Sequence, residues 1–240
     1  MKLQNKVLMT IAFVWLLFAS FMYLGSGLFI TTSFLKFESD RANSDLLRVD
    51  QALEKNLNSL YTFTYDWAHW NDAYKFLQNT NPSFVKNNLN MTAFSTASLN
   101  MLMYINNQNS ILYSAIIDLD LGRSRPYAGE LRNVIKPGSR LLELHQNSSS
   151  FRGYVQFNNQ LMMVAAVPVT DGDNLKKPNG VMITGRIVNF NILQKIANVT
   201  KLPLTLYNLD AIKADKQLFL NFKKALNEPN LHISKPLNEN

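Results

Sequence analysis

Six side chains in this sequence combine types and spacings suited to holding a small molecule. Four lie in the stretch Asp66-Trp67-Ala68-His69-Trp70-Asn71-Asp72-Ala73-Tyr74-Lys75-Phe76-Leu77-Gln78, which contains two of the three tryptophans. Read as a helix, Trp67, Trp70, Tyr74 and Leu77 fall at i, i+3, i+7 and i+10 and form one aromatic stripe. Aromatic walls with a few polar groups line small-molecule pockets. Trp67, Trp70, Asp72 and Tyr74 are therefore the leading ligand-binding candidates. Tyr104 and Arg186, read as lying on facing strands, are secondary ones. The guanidinium suits a carboxylate or phosphate through its forked donors. The competing account gives these rings no ligand: they fasten a helix to a sheet. Either way, both tryptophans are expected to be largely buried between the long helix and the sheet.

Nothing in the chain points to catalysis. It has no Gly-x-Ser-x-Gly elbow, no His-Glu-x-x-His and no phosphate-cradling glycine loop. His69, His145 and His232 lie far apart, without metal-ligand spacing. The pairs Asp118/Asp120 and Asp171/Asp173 lack a twelve-residue calcium pattern and read as solvated turns. With no cysteine there is no disulfide and no thiolate metal site. The expectation is no catalytic residue, no metal and no cofactor. Net charge is +7, but the basic residues are scattered among acids, not gathered on one face. Nucleic acid is not an expected partner.

The tryptophan run resembles the signature of the fourth class of CHASE domains, the extracellular sensor modules of bacterial and archaeal receptors. That pattern reads Asp-Trp-x-x-Trp-Asp-Asp-x-Tyr-x-Phe and is matched at Asp66, Trp67, Trp70, Asp72, Tyr74 and Phe76. Asn71 stands where the pattern has the first acid of an Asp-Asp pair. The later blocks 101–114, 153–170 and 180–187, followed by a helix and Leu202-Pro203-Leu204-Thr205-Leu206-Tyr207, are similar to the family's succession, so the likeness covers about residues 36–210. It implies a PAS-like, Cache-type sensor fold with a sheet that cups a ligand against flanking helices.

The elements that must position these residues begin with an apolar run. No charge occurs from Val7 to Leu35, and Val7 to Ile30 is almost wholly apolar, enough helix to cross a bilayer. Lys2 and Lys6 precede it, which places residues 1–6 in the cytoplasm and the remainder outside. A cleaved signal peptide is the rival reading, set aside because the run exceeds a usual hydrophobic region. Leu46, Val49, Leu53, Leu57, Leu60 and Thr64 continue a helical seam, with neither glycine nor proline between Ser33 and Ala73. One long helix is expected to leave the membrane, breaking near Thr62, Thr64 and Asp66, which favour caps. Asn81-Pro82 closes the tryptophan helix. A hairpin follows at 102–116 and a second at 151–169, then a loop at 171–180 and a strand at 181–188. Residues 189–198 form an amphipathic helix, with short helices expected at 139–144 and 212–226.

The expected class is thus α+β, a PAS/Cache-like antiparallel sheet with a long N-terminal helix continuing from a transmembrane one. Its segments are a tail (1–6), a membrane helix (7–30), a long extracytoplasmic helix (31–65) and a sensor domain (66–240). No second apolar run precedes Asn240, so the sensor domain is expected to be truncated at its C-terminal end. The chain reads as a single-pass protein of a bacterial inner membrane, its domain in the periplasm. It would detect a small molecule or an envelope condition without catalysis. Its partners would be the membrane, a small-molecule ligand, and a second copy or a receptor paired through the long helix. The alternatives are a non-enzymatic interaction protein, or the remnant of a receptor kinase or cyclase.

Overall fold

A computed structural model describes residues 3–79, 81–119, 121–125, 144, 149–157, 160–173, 175–207, 215–217 and 219–220, with the backbone alone at 24–32, 35 and 125. The short helix expected at 139–144, apart from Leu144, and most of the one expected at 212–226 lie outside these residues. The chain divides into two compact units, Met1–Gln51 and Ala52–Asn240. Helix α1, Leu3–Ala68, passes through both without interruption. In the first unit, Leu3–Tyr23 is long and apolar enough to cross a membrane. At 1.5 Å per residue it spans about 31 Å, the thickness of a hydrocarbon core.

The second unit is an α+β domain. After α1 come three short helices, α2 (Asn71–Leu77), α3 (Phe84–Asn88) and α4 (Met91–Thr96). Strands β1 (Met101–Asn106), β2 (Ile111–Asp118), β3 (Arg123–Arg125), β4 (Phe151–Phe157), β5 (Gln160–Pro168) and β6 (Gly180–Ile187) follow, then helix α5 (Phe190–Thr200). All pairings are antiparallel, in the order β3-β2-β1-β6-β5-β4, so the expected α+β class with an antiparallel sheet is what the domain has. The residues of β1, β5 and β6 are buried on both faces, which is why their sequences are continuous apolar runs.

Local chemistry accounts for the joints. In the first hairpin the Asn106 side chain accepts the N–H groups of Gln108 and Ser110, and Asn109 takes the left-handed conformation that asparagine tolerates. Helix α5 starts at Asn189, whose side-chain oxygen accepts the Ile192 N–H at 3.1 Å. It buries Ile192, Ile196 and Thr200, one face of the expected amphipathic helix.

The α1–α2 region departs from the expectation twice. The cap-forming residues Thr62, Thr64 and Asp66 do not end α1, which runs to Ala68. Thr64 is buried, and its hydroxyl donates to the Leu60 carbonyl of the preceding turn at 2.8 Å, so it is satisfied inside the helix. The tryptophan run, in turn, is not one helix. Trp70 is extended, with φ −87° and ψ 133°, and separates α1 from α2. The Ala68 carbonyl, which would accept the Asp72 N–H in a continuous helix, accepts the Thr170 N–H from the far end of β5 at 3.1 Å. A tertiary bond has taken the place of a helical one.

The sheet separates two apolar clusters. On the helix side, Leu57, Leu60 and Ala68 of α1, Phe76 of α2, Phe84 of α3 and Phe94 of α4 pack with Leu102, Tyr104, Met163 and Met182. The opposite side is lined by Met101, Met103, Met162, Val164, Val181 and Ile183, with Leu144 and Phe157 packed on them. Arg152 of β4 pairs with Glu54 of α1 at 2.9 Å and lies over the Tyr61 ring.

Candidate functional site

The end of α1, the start of α2 and the β5–β6 loop (Val169–Asn179) form one knot. Asp171 is central to it. Its side-chain oxygen accepts the Leu175 N–H at 2.8 Å and the Lys176 N–H at 3.0 Å, folding the loop back on itself. The Lys176 amide, first, and then the Leu175 amide and the Lys176 charge hold the carboxyl below the usual aspartate range. Asp171 is thus a buried organiser of the loop, where a solvated turn was expected. Asn71 accepts the Gly172 N–H at 3.1 Å through its side-chain oxygen. Asn179 donates from its side chain to the Tyr74 carbonyl at 2.8 Å. The Tyr74 hydroxyl donates to the Lys177 carbonyl at 3.4 Å, and the Lys176 ammonium lies over the Tyr74 ring.

The six candidates serve different contacts. Trp67 and Trp70 stack with ring centroids 4.9 Å apart and planes 17° from parallel, and Trp67 also meets Phe63 in a tilted contact, the planes 33° apart. Trp67 is half-buried against the core, but Trp70 is 40% exposed. The expected burial of both tryptophans is therefore corrected for Trp70. The extended backbone at position 70 takes it off the helical stripe and turns it outward. Asp72 is exposed in the first turn of α2. Tyr74 is buried and committed to the loop.

Tyr104 is fully enclosed, edge-on to Phe76 and Phe84 at 5.7 and 5.6 Å. Its hydroxyl finds no partner among the described residues, and burial pushes the phenol far above its ordinary pKa. Arg186 points to the helix side as well. Its guanidinium donates to the carbonyls of Ser98 (3.2 Å) and Ala97 (2.7 Å) just past α4, while burial lowers its pKa. It caps the open carbonyl end of that helix, where a cation is favoured.

Sequence reasoning missed the polar groups buried in the sheet and its connections. Asn100 donates to the Ile117 carbonyl and accepts from the Ile187 N–H, tying the start of β1 to its two neighbours. Thr184 of β6 meets Thr64 of α1, hydroxyl to hydroxyl, in the middle of the apolar interface. The only signal for either is a polar residue inside an apolar run.

Residues 52–207 match the family model of the CHASE4 domain. The chain is 25% identical over 134 residues to the methanogenesis regulatory histidine kinase FilI of Methanothrix harundinacea (strain 6Ac), a match that covers 56% of this chain and 15% of that protein. Among solved structures it is similar to the sensor domain of the V. cholerae histidine kinase DctB, with a TM-score of 0.46 and 13% identity over 65% of this chain and 57% of that one. The V. cholerae LuxQ periplasmic domain gives 0.40 and 14% over 72% and 84%. This chain thus spans a small part of the curated relative it matches. With the family model covering more than half of its length, the chain belongs to the CHASE4 domain family.

Proposed function

We propose that this protein is a membrane-anchored sensor domain that detects a small molecule or an envelope condition outside the cytoplasm and passes the event to a signalling partner, without catalysis of its own. The observation that carries the reading is helix α1. It joins an apolar segment able to cross a bilayer to a domain of a sensor family, with no linker between them. An unbroken helix transmits displacement where a flexible linker would absorb it. The basic residues ahead of the apolar segment favour an orientation with residues 1–6 inside and the domain outside. The exposed Leu46, on the seam that continues into the buried Leu57 and Leu60, favours pairing with a second copy or a receptor along α1.

Of the six candidate ligand contacts, Trp70 and Asp72 are open to a ligand as the domain stands. Trp67, Tyr74, Tyr104 and Arg186 are engaged within the fold, and binding through them would displace packed side chains. The test is thermal melting of the purified full chain against a panel of small polar and aromatic metabolites. A compound that raises the midpoint for the parent and not for Asp72→Ala, with both melting alike when free, supports binding at the motif. Retention of the full shift by Asp72→Ala removes Asp72 from the site. A cytoplasm-only reporter enzyme, active when fused after Asn240, would overturn the topology.

A further inference from the structure

We propose that the hydroxyl pair of Thr64 and Thr184 is a register lock, holding α1 at one axial position on the sheet so that α1 shifts only when the pair breaks. Both residues have 0% exposure, so water cannot replace either partner. Thr64 donates its hydroxyl hydrogen to the Leu60 carbonyl of its own helix. Thr184 therefore supplies the hydrogen across the interface. Thr184 sits in β6 opposite Leu102 of β1 and Ala165 of β5, which offer it no side-chain partner.

Sliding α1 by one turn, about 5.4 Å, would bring Leu60 or Ala68 against Thr184. Neither has a group to accept its hydrogen. A step of three residues brings Tyr61 or Trp67, rings much larger than the buried threonine that meets Thr184. A one-turn shift in either direction therefore strands the Thr184 hydroxyl in an apolar interface. Thr64 carries its bond to Leu60 along with the helix, so of the two hydroxyls only that of Thr184 loses its partner when α1 moves. The lock acts at the point where the helix that leaves the domain meets a central strand. It rests on the sensor reading only for its use, since the geometry holds whatever the domain detects.

The chain has no cysteine, so Ser59→Cys on α1 and Ser114→Cys on β2, both exposed, would carry the only two spin labels in the full chain in lipid nanodiscs. One interlabel distance is expected for the parent and for Thr184→Ser. Thr184→Val should raise a second population, displaced by about one helical turn, roughly tenfold. A parent-like distribution for Thr184→Val overturns the proposal, as does a Thr184→Ser variant that behaves like valine. If Thr184→Val does not fold, the double variant Thr64→Val, Thr184→Val leaves no hydroxyl stranded in any register and should fold with the second population present; a single parent distance there also overturns the lock. No ligand enters the measurement, so a failed ligand screen and a failed lock are told apart.

Discussion

The residues chosen for chemistry turn out to differ most in how their polar groups are satisfied. Arg186 donates twice to carbonyls and Tyr74 once, whereas the Tyr104 hydroxyl is enclosed by phenylalanine rings with no partner among the described residues. A buried hydroxyl left unpaired costs about 1–3 kcal/mol. Tyr104→Phe removes it at almost constant shape and should leave stability unchanged or raise it by about 1 kcal/mol in urea unfolding. The effect depends on pH. Burial raises the phenol pKa in the fold, so the folded protein keeps a proton that the unfolded chain releases above about pH 10. The parent should therefore lose stability as pH climbs past 10, while Tyr104→Phe loses less. Parallel pH profiles for the two proteins would refute this account. Trp67 and Trp70 make a related point. They stack as a pair, yet only Trp67 packs against the core, so the shared motif does not give them a shared role.

At the scale of elements, the β5–β6 loop decides where α1 ends. Thr170 takes the Ala68 carbonyl, Gly172 bonds to Asn71, and Asn179 holds the Tyr74 carbonyl, so three loop residues grip the α1–α2 junction. Asp171 shapes the loop that does this. Its depressed pKa sets the sign: the stabilisation is complete above the ordinary aspartate pKa of about 4 and fades as pH falls through the lower folded value. Asp171→Ala should speed amide exchange at Leu175 and Lys176 at neutral pH, relative to intrinsic rates, with little change in β1 or β6. The parent should approach the same behaviour below about pH 4. Unchanged exchange at those two amides would show that other contacts hold the loop.

For the whole molecule, the two compact units share one helix, and their surfaces differ in kind. Leu3–Tyr23 exposes Val7, Leu8, Phe13, Trp15, Leu16 and Phe21, a surface water does not tolerate and a bilayer does. The second unit gathers its buried apolar residues in two clusters on either side of the sheet. The full chain should stay in the membrane fraction through alkaline carbonate washing. A form lacking residues 3–23 should move to the soluble fraction with the same far-ultraviolet signature per residue of folded domain. Aggregation of that form, or carbonate release of the full chain, would argue against an anchor.

The sequence by itself determined what short-range periodicity can specify. The seam from Leu46 to Thr64, both hairpins, strand β6 and helix α5 follow from spacings of three and four, alternation or buried runs, and turn residues such as Asn106 and Asn109. The motif from Asp66 to Phe76, with the succession of later blocks, was enough to suggest the family that the match over residues 52–207 shows. Tertiary structure decided the rest, because a buried polar group must find its partner wherever the fold supplies one. The Thr64 hydroxyl meets Thr184, and the Ala68 carbonyl takes the Thr170 N–H in place of a helical bond, partners distant in sequence. The outward turn of Trp70, the enclosure of Tyr104 and the burial of Asp171 follow from those bonds and from side-chain packing. Neither can be read from periodicity, since each is settled between segments that meet only when the sheet is complete.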